Sequence, residues 1–129
     1  QQYESSGHWK FLGNLDLEKM AAYYPNLDVL VVPSLNSTEA FGLVQIEAMM
    51  NGVPSVPSAL PGVRRPVQMH NMGVVSEIGN SESLANAILD VLDNKEKYRG
   101  DIPAIKTAYD PDSIAQEYEK LFAKLGAKQ

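Results

Sequence analysis

The chain has 129 residues, a formal net charge of −5 at pH 7 and no cysteine. The missing cysteines exclude disulfides and thiolate zinc sites, and the acidic balance argues against a broad basic surface for nucleic acid. No apolar run approaches the roughly 20 residues of a membrane helix. Hydrophobic residues at 44% and charged residues at 21% are typical of one globular domain, and a cytoplasmic setting fits this composition.

Strand and helix signals alternate along the first half of the chain. A short apolar run closed by glycine, Trp9–Gly13, predicts a strand, and Asp16 can cap a helix over LEKMAAYY. The continuous β-branched run Asp28–Ser34 is typical of a strand buried on both faces of a parallel sheet. The next segment, FGLVQIEAMMNG, predicts a helix that ends at Gly52.

The second half continues this alternation. Val53–Ser58 predicts a strand, although Pro57 is unusual inside a ladder, and the following short helix has Pro66 in its first turn. Gly73–Ile78 predicts another strand. Two amphipathic helices close the chain, and their candidate caps are Asn80 or Ser81 for the first and Asp110 for the second. The alternation predicts an α/β fold with an open, mostly parallel sheet and flanking helices.

A candidate ligand site follows the Asp28–Ser34 strand, because ligands bind outside the carboxyl ends of strands in open α/β sheets. Glu39 lies on the loop after this strand. The first N–H groups of the next helix, around Gly42, Leu43 and Val44, lack intrahelical partners and lie at the positive end of the helix dipole. We therefore predict a phosphate site here, with Glu39 in reach of hydroxyl groups on the same ligand.

Glu47 lies about one helical turn further on, with Val44, Ile46, Ala48 and Met49 around it. A carboxylate in apolar surroundings is costly unless it is paired or hydrogen-bonded, and the hydroxyls of a bound sugar or ribose are suitable partners. A simpler interpretation also fits the local pattern. In it Glu47 is an exposed helix residue, Glu39 is a solvated loop charge and Gly42 only makes a turn.

The spacing Glu-x-Phe-Gly-x4-Glu, from Glu39 to Glu47, follows a strand that ends in Pro-Ser and precedes EAMMNGVPSV. This segment resembles the E-x7-E segment of retaining GT-B-fold glycosyltransferases of the family-4, or group 1, kind. The elements typical of that family stand here in order: Pro33, Ser34, Glu39, Phe41, Gly42, Glu47, Ala48, Gly52 and Pro54. The resemblance extends roughly from Phe11 to Leu92.

The resemblance implies a Rossmann-like donor domain that binds a UDP- or GDP-linked sugar and transfers it with retention, without a metal or other cofactor. By position, Glu39 would orient the transferred sugar at the reacting centre, and Glu47 would bind the ribose. The backbone at Phe41, Gly42 and Leu43 would hold the sugar hydroxyls and the diphosphate. Asn14 and Leu15 would lie near the base. The acceptor, a sugar, lipid or protein, stays open.

The same resemblance implies that residues 1–129 form only the later part of a C-terminal donor domain. The acceptor domain, the first two strands of the donor domain and a basic Arg–Lys pair are then expected outside the chain, which begins with Gln1 rather than Met. We expect this chain alone to be inactive and the full enzyme to contact membranes peripherally. With strand order 3-2-1-4-5-6, the Trp9–Gly13 strand would be separated from its sheet.

Two other classes of protein fit parts of the pattern. A receiver-like signalling module is disfavoured because Pro33 and Ser34 stand where such a module carries an aspartate. A nucleotide-sugar-binding module without catalysis remains an alternative. Arg64 and Arg65 could reach a phosphate, but a solvated helix start is favoured for both. The histidines show no metal spacing.

Overall fold

A computed structural model gives the fold of residues 7–126, so the ends of the predicted 1–129 domain lie outside the described residues. The helices and strands in chain order are α1 (Leu17–Tyr23), β1 (Leu30–Val32), α2 (Leu43–Met50), β2 (Ser55–Pro57), α3 (Arg65–His70), α4 (Ser81–Asp93), α5 (Ile102–Ala108) and α6 (Pro111–Lys124). Short 3-10 turns follow α1 and α4. In this part of the chain, no helix combines the length and the apolar character that a membrane crossing requires.

The sheet is parallel, as the alternation of elements predicts. β1 and β2 pair with Val31 opposite Val56, and Val32 lies opposite Pro57. A proline is compatible with this strand position because the hydrogen bond is made by the Pro57 carbonyl, which accepts the N–H of Ser76 at 2.9 Å. The predicted strand Gly73–Ile78 forms only two isolated bridges to β2 and its flanking residue Ser58. The segment lies beside the sheet as predicted, but it does not form a regular strand.

Helices cover both faces of the sheet. On one face, Val56 of β2 packs with the fully buried Val91 of α4 and with Tyr98. On the other face, Ala48 of α2 packs with Tyr24, and the strand residue Leu30 lies against this cluster. This packing places the start of α2 beside the carboxyl end of β1, where the sequence predicts the ligand site.

Side-chain caps define three helix starts as predicted. Asp16 accepts the N–H of Lys19, Asn80 that of Ser83 and Asp110 that of Ser113, each two or three residues into the helix. Asn80, rather than Ser81, is therefore the cap of α4. Helix α5, which begins after its own cap, Asp101, was not predicted from the sequence.

The predicted strand Trp9–Gly13 is wrong. In the part of the chain that the structure describes, this segment is irregular and pairs with no strand. Trp9 is 51% exposed and Phe11 is 71% exposed, and their rings stack on each other at 6.3 Å rather than on a core. An isolated strand leaves its backbone groups without partners, so a segment with no neighbouring strand does not form one.

Candidate functional site

The candidate site begins at Gly42, which is buried and precedes the first residue of α2. Its backbone is left-handed, with φ 76° and ψ 63°. A Cβ at this position would lie 2.7 Å from Nε2 of Gln45. Both the conformation and the close approach favour glycine, so the Phe-Gly step has a local structural reason.

Glu39 contacts the start of α2 directly. Its Oε1 accepts the N–H of Gly42 at 2.9 Å, although the side chain is exposed at the loop surface. The Gly42 N–H has no intrahelical partner, as expected, but the Glu39 side chain already binds it. Leu43 and Val44 follow as the first helical residues, and both are exposed. Their N–H groups have no intrahelical acceptor, so the anion-binding capacity of the helix end lies with them.

Glu47 is exposed, so the expectation of a carboxylate in apolar surroundings is also wrong. Its neighbours Ile46 and Ala48 are buried because successive helical residues point about 100° apart. The partner of Glu47 is Tyr24, whose hydroxyl donates to Oε2 at 2.6 Å. Burial of the tyrosine, and then this bond, raise the pKa of Tyr24 well above its usual range. The phenol therefore stays a donor and fixes one carboxylate oxygen of Glu47.

The structure brings some predicted site residues together and leaves others apart. Glu39 and the backbone from Phe41 to Leu43 form one turn, and Glu47 follows one helical turn later. Asn14 and Leu15 lie on the irregular segment before α1. Within residues 7–126 no hydrogen bond joins them to the other site residues. Asn14 and Leu15 are connected to Glu47 indirectly. Helix α1 follows them and leads to Tyr24, whose hydroxyl donates to Glu47.

Two cavities show where open space lies around the described residues. A large one, of about 740 Å³, lies between α5 and α6 and includes Thr107, Ile114 and Tyr118. A smaller one, of about 190 Å³, lies at the carboxyl edge of the sheet between Pro33 and Ser58. Neither of these two cavities is lined by the predicted site residues.

Three side chains near the candidate site were missed or misjudged from the sequence. Nothing in the sequence indicates that Tyr24 belongs to the site, because its partner, Glu47, is 23 positions away. Gln45 is a polar residue inside the apolar run LVQIEAMM, and that contrast was an available signal. Arg64 is half-buried rather than solvated. Its Nε is buried and has no partner in the described part of the chain, and its Nη1 lies 3.4 Å from the carbonyl of Ala59.

Metal chemistry has no candidate among the described residues, where no group of three or more His, Asp or Glu side chains could hold an ion. His70 has a structural contact, since its Nε2 lies 3.2 Å from the Tyr109 hydroxyl. Burial lowers the pKa of His70, which favours the neutral ring.

A parallel sheet with helices on both faces is the arrangement of an open α/β domain, in which ligands bind outside the carboxyl ends of the strands. The family model described as "Glycosyl transferases group 1" matches residues 1–106. The chain therefore belongs to the group 1 glycosyltransferases. This confirms the family resemblance stated from the E-x7-E segment and makes the receiver-like alternative untenable.

Two relatives show the range of similar proteins. The chain is 31% identical over 118 residues to the phosphatidyl-myo-inositol mannosyltransferase of Mycobacterium leprae, with 89% of this chain and 31% of that protein covered. It is 40% identical over 87 residues to the D-inositol 3-phosphate glycosyltransferase of Geodermatophilus obscurus, with 67% of this chain and 19% of that protein covered.

Among solved structures, the sucrose-phosphate synthase of Thermosynechococcus elongatus is similar along nearly the whole chain. The TM-score is 0.78 and the identity 32%, with 98% of this chain and 32% of that chain covered. The predicted fold class, an α/β domain of the GT-B kind, is confirmed. The chain spans a third or less of the length of these three proteins.

Proposed function

We propose that this chain is part of the donor-binding domain of a retaining glycosyltransferase, which binds a UDP- or GDP-linked sugar and passes the sugar to an acceptor. The observation that carries the proposal is the juxtaposition of Glu39 with the start of α2, in a chain of the group 1 family. The relatives are named for a mannosyl and a glycosyl transfer, which supports a sugar nucleotide as the ligand class.

The proposed diphosphate site is the exposed start of α2. The N–H groups of Leu43 and Val44 point along the helix axis at the positive end of its dipole. Gly42 has no side chain that would obstruct a ligand from reaching them. The backbone of Phe41 completes the turn, because its ring packs against the core cluster around Ile46 and fixes the peptide plane.

Glu39 is the proposed catalytic residue. Its carboxylate is held by one hydrogen bond to Gly42 and is otherwise exposed, so it keeps acceptor sites for the hydroxyls of a sugar bound at the same turn. Its role is to orient the transferred sugar and to stabilise positive charge that develops at the reacting carbon. We assign no covalent nucleophile. Base contacts by Asn14 and Leu15 remain a prediction.

A transfer assay on the full-length protein that contains this chain tests the proposal. UDP- and GDP-linked hexoses, each with a defined anomeric configuration, are supplied with a panel of sugar and lipid acceptors. We expect transfer from one nucleotide class, with product of the same anomeric configuration as the donor by proton NMR. Inverted product would refute retention, and release or transfer from none of the donors would favour the non-catalytic binding module.

Glu47 is the proposed ribose ligand, because Tyr24 holds Oε2 and leaves Oε1 as an acceptor for hydroxyl groups. In the full-length protein, we expect Glu47→Ala to raise the Kd of the nucleoside diphosphate about tenfold, the size of one hydrogen bond to a charged group. Tyr24→Phe is the matched control, since it keeps the carboxylate and removes only its orienting donor. It should raise the Kd by about twofold to threefold. Calorimetric titration with UDP and GDP measures both, and an unchanged Kd in Glu47→Ala would contradict the ribose role.

The 129-residue chain by itself should bind nucleotides weakly and transfer no sugar. It spans a third or less of the length of its relatives. A helix N-terminus contributes around 1 kcal/mol per charge, which supports binding on the order of millimolar. The net charge of −5 opposes an anionic ligand further. Calorimetry and a donor-release assay check this, and micromolar binding or turnover by the chain alone would contradict it.

The cellular setting belongs to the same proposal. A cytoplasmic setting fits a chain without cysteine, and peripheral membrane contact is expected of the full-length protein if its acceptor is a lipid. Fractionation of cells that express the full-length protein, with and without a high-salt wash of the membranes, tests both parts. A protein released from the membrane fraction by salt is the expected result.

A further inference from the structure

Gln45 is completely buried in α2 and connects three separate segments of the chain. Its Nε2 donates to the carbonyl of Val63 at 2.8 Å and, at a longer 3.3 Å, to the carbonyl of Phe41. Its Oε1 accepts the hydroxyl of Ser55, in β2, at 3.1 Å. Both atoms of the amide are thus bonded, and the two carbonyls, which only accept, fix which end of the amide is nitrogen.

The bond to Phe41 connects Gln45 to the turn that begins α2. The amide nitrogen lies directly beneath Gly42, where a Cβ would be only 2.7 Å away. The carbonyl of Ala40, in the same turn, contacts Gly62 so closely that a Cβ there would lie 1.7 Å from it. The turn before α2 is therefore in contact with Gln45 and with the loop that contains Gly62 and Val63.

A buried amide is a costly way to fill space, since an apolar side chain of similar volume needs no hydrogen-bond partners. The hydrogen bonds of the amide are directional, so they fix the Phe41 peptide and the Val63 loop relative to each other and to β2. The start of α2, where the first helical residues Leu43 and Val44 are exposed, is built on that fixed turn.

Resting on the donor site proposed above, we infer that Gln45 is a positioning residue for the sugar nucleotide. It touches no ligand, and it acts by holding the Phe41–Gly42 turn so that the N-terminal N–H groups of α2 meet the diphosphate in the required direction. Because these contacts serve the ground state and the transition state alike, the loss of Gln45 affects the binding of the donor more than its turnover.

The test compares variants of the full-length protein by UDP and GDP titration and by donor kinetics. Gln45→Met keeps the volume of the side chain and removes all its hydrogen bonds. We expect the Kd of the nucleotide and the KM of its sugar conjugate to rise about tenfold, with kcat changed by less than about threefold. Val91→Ala, in the remote cluster beside α4, is the control for lost stability alone and should change the Kd by less than about twofold.

The results of these titrations separate the donor site from the positioning role of Gln45. A wild-type protein that binds neither UDP nor GDP overturns the donor site and this role with it. Nucleotide binding by the wild type with an unchanged Kd in Gln45→Met overturns the positioning role alone, as does an equal loss of binding in Val91→Ala. If Gln45→Met does not fold, Ser55→Ala removes one partner of the amide more gently. A Kd raised about threefold is then expected, and an unchanged Kd would overturn the role.

Discussion

Replacing Glu39 by Gln should reduce turnover of the full-length protein about a hundredfold, while the Kd of the nucleoside diphosphate changes by less than about threefold. Loss of one well-placed electrostatic contact at a reacting centre costs about 3 kcal/mol of barrier, which corresponds to that factor. Glutamine can still accept the N–H of Gly42, as the Glu39 carboxylate does at 2.9 Å. The substitution therefore removes the charge and keeps the turn, so an effect on turnover reports the chemistry.

Two further variants complete the test of Glu39. Glu39→Ala also removes the bond to Gly42, so it should add a loss of nucleotide affinity to the loss of turnover. Glu82→Gln removes an exposed carboxylate in the first turn of α4 and should leave both quantities near the wild-type values. Near-normal turnover in Glu39→Gln would remove Glu39 from the reacting centre.

Gly42→Val should raise the Kd of the nucleoside diphosphate at least about tenfold, because it combines two independent obstacles. A β-branched residue at φ 76° is strained by about 1–3 kcal/mol. Its Cβ also displaces the Gln45 amide, 2.7 Å away, from beneath the turn. The turn that precedes Leu43 is then displaced from the position proposed for diphosphate binding. Nucleotide titration and thermal unfolding of the full-length variant measure the two consequences separately.

Gly52 provides the matched control, because it has a φ of 80° at the opposite end of the same helix. A Cβ there would meet only the end of the Ile102 side chain, at 3.4 Å. Gly52→Val should therefore show a comparable loss of thermal stability and a normal Kd. A Gly42→Val protein that folds and binds the diphosphate with native affinity would contradict the proposed phosphate site.

Much of the fold follows from local signals in the sequence. Asp16 and Asp110 each accept the N–H of the third residue of their helix, and Gly42 and Gly52 have the left-handed backbone that bounds α2. These features depend on residues within one helical turn, so a single sequence is enough to predict them. The parallel sheet follows from the alternation of strand and helix signals along the chain.

The errors share a different cause, which is dependence on residues far along the chain. The strand predicted at Trp9–Gly13 needed a neighbouring strand that the described chain does not offer it. Glu47 was judged by its sequence neighbours, whereas its exposure and its bond to Tyr24 are set by the packing of α2 on the sheet. Gln45 has its strongest bond to Val63, 18 positions away. Such pairings are decided by tertiary contacts.

We propose that the start of α2 binds the diphosphate of a sugar nucleotide. A structure of the full-length protein with UDP or GDP bound tests this binding site most directly. The claim predicts diphosphate oxygens at hydrogen-bond distance, about 2.7–3.2 Å, from the N–H of Leu43 or Val44, with the ribose on Glu47. A nucleotide bound elsewhere, such as in the cavity between α5 and α6, with the start of α2 empty, would contradict it.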